Sequence, residues 1–387
     1  MVIETPQVQE TSDGYVVRAQ VTSERGPNGE LWFELTGGPV LPSPEMISAA
    51  FVAACFPTAV WLGEDISVDV PVDADLLLRL PVLARGMARL HHRARAIEVH
   101  AEPARSEPPS GRVVGASFSG GADSFYTLMT NRDPGGLTPV GALVTGLGFD
   151  PPHNDNEKQD LVLERLRRVS YELELQHFAI RTNFRLFFDP YADPSRVTQG
   201  TCLVAFAFLL AGDIHSYLVP SSAPIDRLYR WSSHALLDGA WLSGHVRTIS
   251  DGWDIHRNDK VLQIAGWPLA LEVLRVCAVG NAVDNCGKCE KCLRTMALLE
   301  VAHRAEQAPT FPRRIDAKAI RDIQVKQIRK LYWWEEIRKL AEPDPSLAWL
   351  VAAINRMAFS CRLNAPRRRL RNWMRRGLKR GIDPIQY

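Results

Sequence analysis

Residues 113–130 read VVGASFSGGADSFYTLMT: an apolar strand, a turn with two glycines and a helix in immediate succession. A strand that passes through a glycine turn straight into a helix belongs to folds that alternate strands and helices. The first N–H groups of such a helix have no internal partners, and the helix dipole adds positive potential there. Gly120 and Gly121 allow positive φ and let the backbone approach an anion closely. Ser119 and Ser124 add hydroxyl donors. Asp123 repels an anion, so its role beside one is to hold Mg2+ or a loop amide. A glycine turn without a ligand is the plainer reading, and for an isolated Gly-Gly it is preferred. The full run Ser119-Gly120-Gly121-Ala122-Asp123-Ser124 behind a strand favours a phosphate. It has no Gly-Lys-Ser/Thr ending and no G-x-G-x-x-G, so it is neither a Walker A loop nor a dinucleotide fingerprint.

The flanking pattern supports an α/β fold. Strands are expected at Val113–Phe118, Val140–Thr145, His177–Thr182, His215–Val219 and Val246–Ser250. Helices are expected from Asp123 to Thr130, Asn156 to Glu172 and Gln199 to Ala211. Such alternation implies a doubly wound, Rossmann-like parallel sheet with helices on both faces. Upstream, Tyr15–Val21, Glu30–Leu35, Trp61–Val72 and Ala96–Ala101 read as strands. A helix opens at Ser43-Pro44 and runs toward Cys55, and another covers Asp75–His92. The Pro-, Ser- and Gly-rich break Ser106–Gly111 separates the two patterns. Three domains are therefore expected: an α+β domain over 1–110, the α/β domain over 111–306, and a helical extension over 307–387.

Four of the seven cysteines crowd together as C-x8-C-x2-C-x2-C: Cys277, Cys286, Cys289 and Cys292. Two overlapping C-x-x-C turns bring three thiolates to one point, and Cys277 can supply the fourth. Four thiolates suit tetrahedral Zn2+. An iron–sulfur cluster takes the same ligands. Gly287 permits a tight turn, and Lys288, Lys291 and Arg294 offset the thiolate charge.

S-G-G-x-D-S after the first strand resembles the pyrophosphate loop of the N-type ATP pyrophosphatases, the PP-loop (adenine nucleotide alpha-hydrolase-like) superfamily. Joined to the cysteine spacing, the likeness is closest to the 7-cyano-7-deazaguanine synthases and covers about residues 112–305. It implies a Mg-ATP-dependent ligase. Such an enzyme adenylates a small-molecule carboxylate or carbonyl, releases pyrophosphate and AMP, and forms a C–N bond with ammonia or another nucleophile. It also implies that Ser119–Ser124 and Gly146 bind ATP, that Asp123, Ser124, Arg257 and Lys260 are catalytic, and that the cysteines hold a structural zinc. Residues 1–105, 307–387 and the polar segments 231–238 and 251–260 have no counterpart in those enzymes, so the deazaguanine substrate is not carried over. Two other functions are compatible with the same residues: a tRNA-modifying sulfurtransferase with an iron–sulfur cluster, and a non-catalytic nucleotide-binding protein.

Weaker candidates are Ser221 and Ser222 at the end of the fourth strand, Gly148 after the second, and Ser233, His234 and Asp238. Arg181 and Arg185 follow the third strand. Each reads equally well as packing, capping or surface pairing.

The chain has 387 residues, 46% of them hydrophobic, and a net charge of +2. From Arg362 to the end there are nine Arg or Lys and one Asp, which leaves a net −6 on the other 361 residues. This tail is expected to dock on the acidic body or to contact RNA or an anionic membrane, with nucleic acid a minor alternative. MVIETPQVQE is not a secretory leader, and the longest apolar run, Leu203–Ala211, is short of the roughly 20 residues a spanning helix needs. A cytoplasmic protein is expected, with homodimerisation open.

Overall fold

The computed structural model describes residues 1–149, 155–228, 233–277, 283–312, 314–323 and 331–377, with 364–377 as backbone. Trp231, Ser232 and Leu378–Tyr387, singled out from the sequence, lie outside the described residues. The chain forms two compact units: Met1–Arg275 with Asn281–Val283, and Val276–Gly280 with Asp284–Tyr387.

The first unit opens with β1 (Val2–Ile3), β2 (Gln7–Thr11), β3 (Gly14–Thr22) and β4 (Gly29–Thr36). Along β4, Leu31, Phe33 and Leu35 are buried and their neighbours less so, which is the alternation of a sheet packed on one face. Next come α1 (Pro44–Leu62), β5 (Ile66–Val68), β6 (Val72–Asp73), α2 (Ala74–Leu90), β7 (Val99–His100) and β8 (Pro103–Ala104). The Asp73 carboxylate caps α2 by accepting from Leu76 N at 2.8 Å, and Leu76, Leu80, Leu83 and Met87 form its buried stripe.

The alternating part follows: β9 (Val113–Ser117), α3 (Ala122–Thr130), β10 (Val140–Leu147), α4 (Asn156–Glu172), β11 (Gln176–Thr182), α5 (Phe184–Phe188), α6 (Gln199–Leu209), β12 (Ile214–Pro220), α7 (Ala235–Asp238), β13 (Arg247–Asp251), α8 (Arg257–Ile264) and α9 (Pro268–Val273). These five strands pair in parallel in the order β13-β12-β9-β10-β11. Counted from β9 that is 3-2-1-4-5 read from β11, the order of a Rossmann-like sheet without its sixth strand. β10 is buried nearly throughout, as a strand covered on both faces must be.

Two expectations change. Trp61–Val72 is not a strand: α1 continues past Cys55 and through Trp61 and Leu62, until Gly63 at φ 67° ends it in the left-handed region. Only Ile66–Val68 and Val72–Asp73 remain extended. Likewise the strand expected over Ala96–Ala101 shrinks to Val99–His100. The break at Ser106–Gly111 is a connection inside one unit. β4 pairs antiparallel with β11, so strands before and after it share one eleven-stranded sheet, from which, among the described residues, only β6 and β8 stand apart as a parallel pair. One apolar core runs from Met1 to Val246.

α1 is the one helix among the described residues long and apolar enough to cross a membrane, and 89% of its apolar window is buried in the protein. Sequence runs miss it because Ser48, Pro57 and Thr58 interrupt them. It packs chiefly on α6 and is apolar on every side, as a core helix is.

The second unit is helical: α10 (Glu290–Val301), α11 (Ala317–Arg321), α12 (Leu331–Ala341) and α13 (Ala348–Gly377). α13 packs on α11 and α12.

Candidate functional site

β9 sits where the connections of the parallel sheet diverge, with β10 on one side and β12 on the other. In open α/β sheets the carboxyl ends of the strands at such a switch point form a ligand crevice. The residues there are Phe118 to Ser124 after β9 and Ser221–Ser222 after β12.

Phe118 anchors the turn: its N–H donates to Val144 O at 2.8 Å, and its ring meets Phe125 edge-on at 5.1 Å. Gly120 has φ 68°, and a Cβ there would lie 2.6 Å from Leu166 Cδ2, so conformation and packing both require glycine. Its carbonyl accepts from Arg275 N at 2.8 Å. Gly121 is the N-cap of α3 and brings no side chain to the first-turn amides. Ser124 Oγ donates to Gly121 O at 3.0 Å and accepts from Ser119 N at 3.3 Å, which holds the loop closed on itself. Ser119 remains exposed. The result is an α3 N-terminus with an uncapped amide cluster, suited to an anion.

Asp123 is the hub. Its Oδ2 accepts from Ser222 Oγ at 3.0 Å and from Arg257 Nη1, which forms an ion pair with it. Its Oδ1 lies 3.9 Å from Lys260 Nζ and, though buried, accepts no hydrogen bond. Arg257 and Lys260 thus bring two cations to this carboxylate, and Asp251 and Asp254 also act on Lys260. The orphaned Oδ1 is a free hard-oxygen donor, which fits a divalent cation such as Mg2+.

Lys260 is almost wholly enclosed, with its side chain 1% exposed. Its Nζ donates to Ser221 O at 2.6 Å and stands 5.3 Å from the centre of the Tyr126 ring. Burial holds its pKa below the ordinary lysine value, and the Asp123 carboxylate works in the opposite sense. Gly252, at φ 68°, makes room: a Cβ there would come within 3.0 Å of Lys260 Nζ and 3.1 Å of the Tyr126 ring. Asp251 fixes the end of β13 onto α3 by accepting from Thr127 Oγ1 at 2.6 Å and Asn131 Nδ2 at 3.2 Å.

Asp123, Ser124, Arg257, Lys260, Ser221 and Ser222 thus come together. Sequence reasoning missed Tyr126, Gly252 and the Thr127–Asp251–Asn131 tie. Only the glycine in Asp251-Gly252-Trp253-Asp254 hinted at them.

Other candidates fall elsewhere. Gly146 lies within β10, and a Cβ on it would meet Phe206 at 2.6 Å and Phe149 at 3.2 Å. The space a side chain would take there is therefore filled by aromatic rings. Gly148 has φ 98° just beyond. Arg181 is tied to Asp160 at 2.9 Å and to Asn156 at 2.8 Å, and Arg185 pairs with Asp189, so both serve local networks. Ser233 Oγ donates to Asp238 Oδ2 at 2.7 Å. Burial raises the Asp238 pKa to about 7, and it lowers that of His234.

In the second unit the four Sγ atoms of Cys277, Cys286, Cys289 and Cys292 all lie within 4.8 Å of one another. Cys277 and Cys289 are 4.0 Å apart, and Cys286 and Cys292 3.8 Å. Four thiolates at about 2.3 Å from one tetrahedral ion stand about 3.8 Å apart. The group can therefore hold a single metal ion. Cys286 Sγ accepts from Cys289 N at 3.3 Å, and Cys289 Sγ from Cys292 N at 3.5 Å. The Cys292 thiol, with the Cys292 amide and the neighbouring thiols, lowers the Cys289 pKa from its ordinary value. Gly287, at φ 65°, packs against Pro312, where a Cβ would come within 2.4 Å. Asn285, which the spacing did not single out, accepts from Val276 N at 2.8 Å and Cys277 N at 3.1 Å and joins Cys277 to the rest of the knuckle.

No protein-family model, no curated protein and no solved structure matches this chain.

Proposed function

We propose that the chain is a Mg-ATP-dependent ligase of the PP-loop type. It activates a small-molecule carboxylate or carbonyl as its adenylate and then forms a C–N bond. The observation that carries this reading is Asp123 at the head of α3, shared by Ser222, Arg257 and Lys260, with one buried oxygen lacking a donor.

In this reading the amides of Gly121 to Ser124 and the Ser119 hydroxyl hold the β- and γ-phosphates. An acceptor oxygen attacks the α-phosphorus, the bond to the bridging oxygen breaks, and pyrophosphate leaves. Arg257 and Lys260 stabilise the charge that grows on the phosphates as it does so. Mg2+ held by Asp123 would neutralise that charge further. Ammonia or another nucleophile then adds to the activated carbon, loses a proton and expels AMP. The buried Lys260 offers a cation without mobile water around it, which strengthens its interaction with phosphate.

Zinc is the ion we assign to the four cysteines. All four positions are thiolates, which leaves no site for a reacting water, so the metal is structural. An iron–sulfur cluster that binds each thiolate to a different iron would spread the sulfurs farther apart than 4.8 Å. That spacing disfavours the sulfurtransferase alternative.

The test is exchange of labelled pyrophosphate into ATP in the presence of Mg2+ and a panel of carboxylates. Exchange that depends on a carboxylate and is lost in Asp123→Ala supports the reading. Its absence across a broad panel, despite ATP binding, would favour a protein that only holds nucleotide.

A further inference from the structure

The second unit is far more basic than the chain as a whole. Residues 284–387 hold 23 Arg or Lys against 11 Asp or Glu, a net +12, whereas the complete chain is +2. The charge is densest along the second half of α13.

The apolar positions of α13 fall on opposite faces in its two halves. In the first half Leu350, Ala353, Ile354, Met357 and Cys361 are buried and form one stripe, by which the helix packs on its own unit. Phe359 and Leu363 lie on the other side and are 65% and 60% exposed. Helical spacing carries that outer stripe onward through positions 370, 373 and 374, which are Leu, Trp and Met. Over the same stretch the continuation of the packing face becomes polar, with Asn364, Arg368, Asn372 and Arg375 at its positions. Residues 364–377 contain six arginines and no acid. Positions 367 and 371 border the outer stripe on one side, and 369 and 376 on the other.

A helix meant to extend the unit's own core would keep its apolar residues on the packing face. This one moves them to the opposite side and borders them with arginine. We propose that α13 from Phe359 onward is a docking helix that lies in the headgroup layer of an anionic lipid bilayer. Its apolar stripe, about 22 Å long, enters the acyl boundary, and the bordering arginines meet lipid phosphates on both sides. A single-stranded nucleic acid would engage the arginines and leave Phe359, Leu363 and the positions beyond uncovered. Lipid satisfies both faces at once.

The full chain can be sedimented with phosphatidylcholine vesicles, with and without phosphatidylglycerol. Binding is expected only to the mixed vesicles and to fall as salt rises. Leu370→Glu with Trp373→Glu should weaken it at least about tenfold. Arg369→Gln with Arg376→Gln should weaken it about fivefold for each charge removed. Both variants should melt like the parent, because the stripe lies opposite the packing face. No binding to mixed vesicles, equal binding to both kinds, or binding that the Glu variant retains overturns the proposal. Poly(U) binding that survives the Glu variant and is lost in the Gln variant would then identify RNA as the ligand of the arginine face.

Discussion

Lys260 and Asp123 form a buried pair in which the lysine is committed elsewhere: Nζ donates to Ser221 O at 2.6 Å and stands 3.9 Å from Asp123 Oδ1. The carboxylate is thereby held by Arg257 and Ser222 on one oxygen, while the other stays open.

Replacing Asp123 with Asn keeps the shape but removes the carboxylate that pairs with Arg257 and faces Lys260. ATP should still bind, because the cluster becomes more positive. Pyrophosphate exchange should fall by about 100-fold or more, since the metal position is lost. Calorimetry with ATP, with and without Mg2+, separates the two effects. Equal stimulation by Mg2+ in the parent and the variant would remove Asp123 from the metal site.

Gly252→Ala tests the space around Lys260. The left-handed backbone costs a non-glycine residue roughly 1–2 kcal/mol. The added methyl also meets Lys260 Nζ and the Tyr126 ring. A melting temperature lower by a few degrees is expected, with a rise in the KM for ATP. An unchanged KM would show that the lysine position does not matter for nucleotide.

The cysteine cluster should carry about one zinc per chain and no iron, measured by plasma emission on protein purified without chelator. Cys289→Ser should lose the metal and unfold the second unit first, because the ion replaces the hydrophobic core that so short a knuckle lacks. A brown, iron-bearing protein would contradict the assignment.

Stability should depend on pH through two buried groups of opposite sense. Asp238 titrates near 7 in the folded protein against an ordinary value of 3.8. Its contribution is therefore complete below about 4 and lost as pH rises through about 7. His177, whose ring nitrogens face Thr145 Oγ1 and Ser170 Oγ, is held neutral by burial, with a pKa near 4 against 6.5. Its contribution is complete above about 6.5 and lost as pH falls through about 4. Asp238→Asn should flatten the alkaline side of a urea-denaturation profile taken between pH 4 and 8 and leave the acid side unchanged. The reverse pattern would show that the two groups do not set the profile.

The alternating half of the fold was legible because each strand is a short apolar run ended by glycine or a polar turn. α4 even begins and ends at the expected residues, Asn156 and Glu172. The N-terminal part was less so. α1 is apolar on all sides, so no helical period marks it, and Trp61–Val72 resembled a strand until Gly63 showed where the helix stops. The pairing of β4 with β11 joins residues about 145 apart, which no local pattern records. In the site, Asp123 and the glycines were visible as a motif. Tyr126 and Gly252 were not, because their roles depend on where Lys260 comes to rest.

The most direct test of the ligase reading is the identity of the products, followed by phosphorus NMR with Mg-ATP, an activating carboxylate and ammonia. AMP and pyrophosphate in equal amounts, both lost in Asp123→Asn, are the expected result. ADP and inorganic phosphate would place the cleavage at the other phosphate bond and contradict the assignment of Ser119–Ser124 as a pyrophosphate loop.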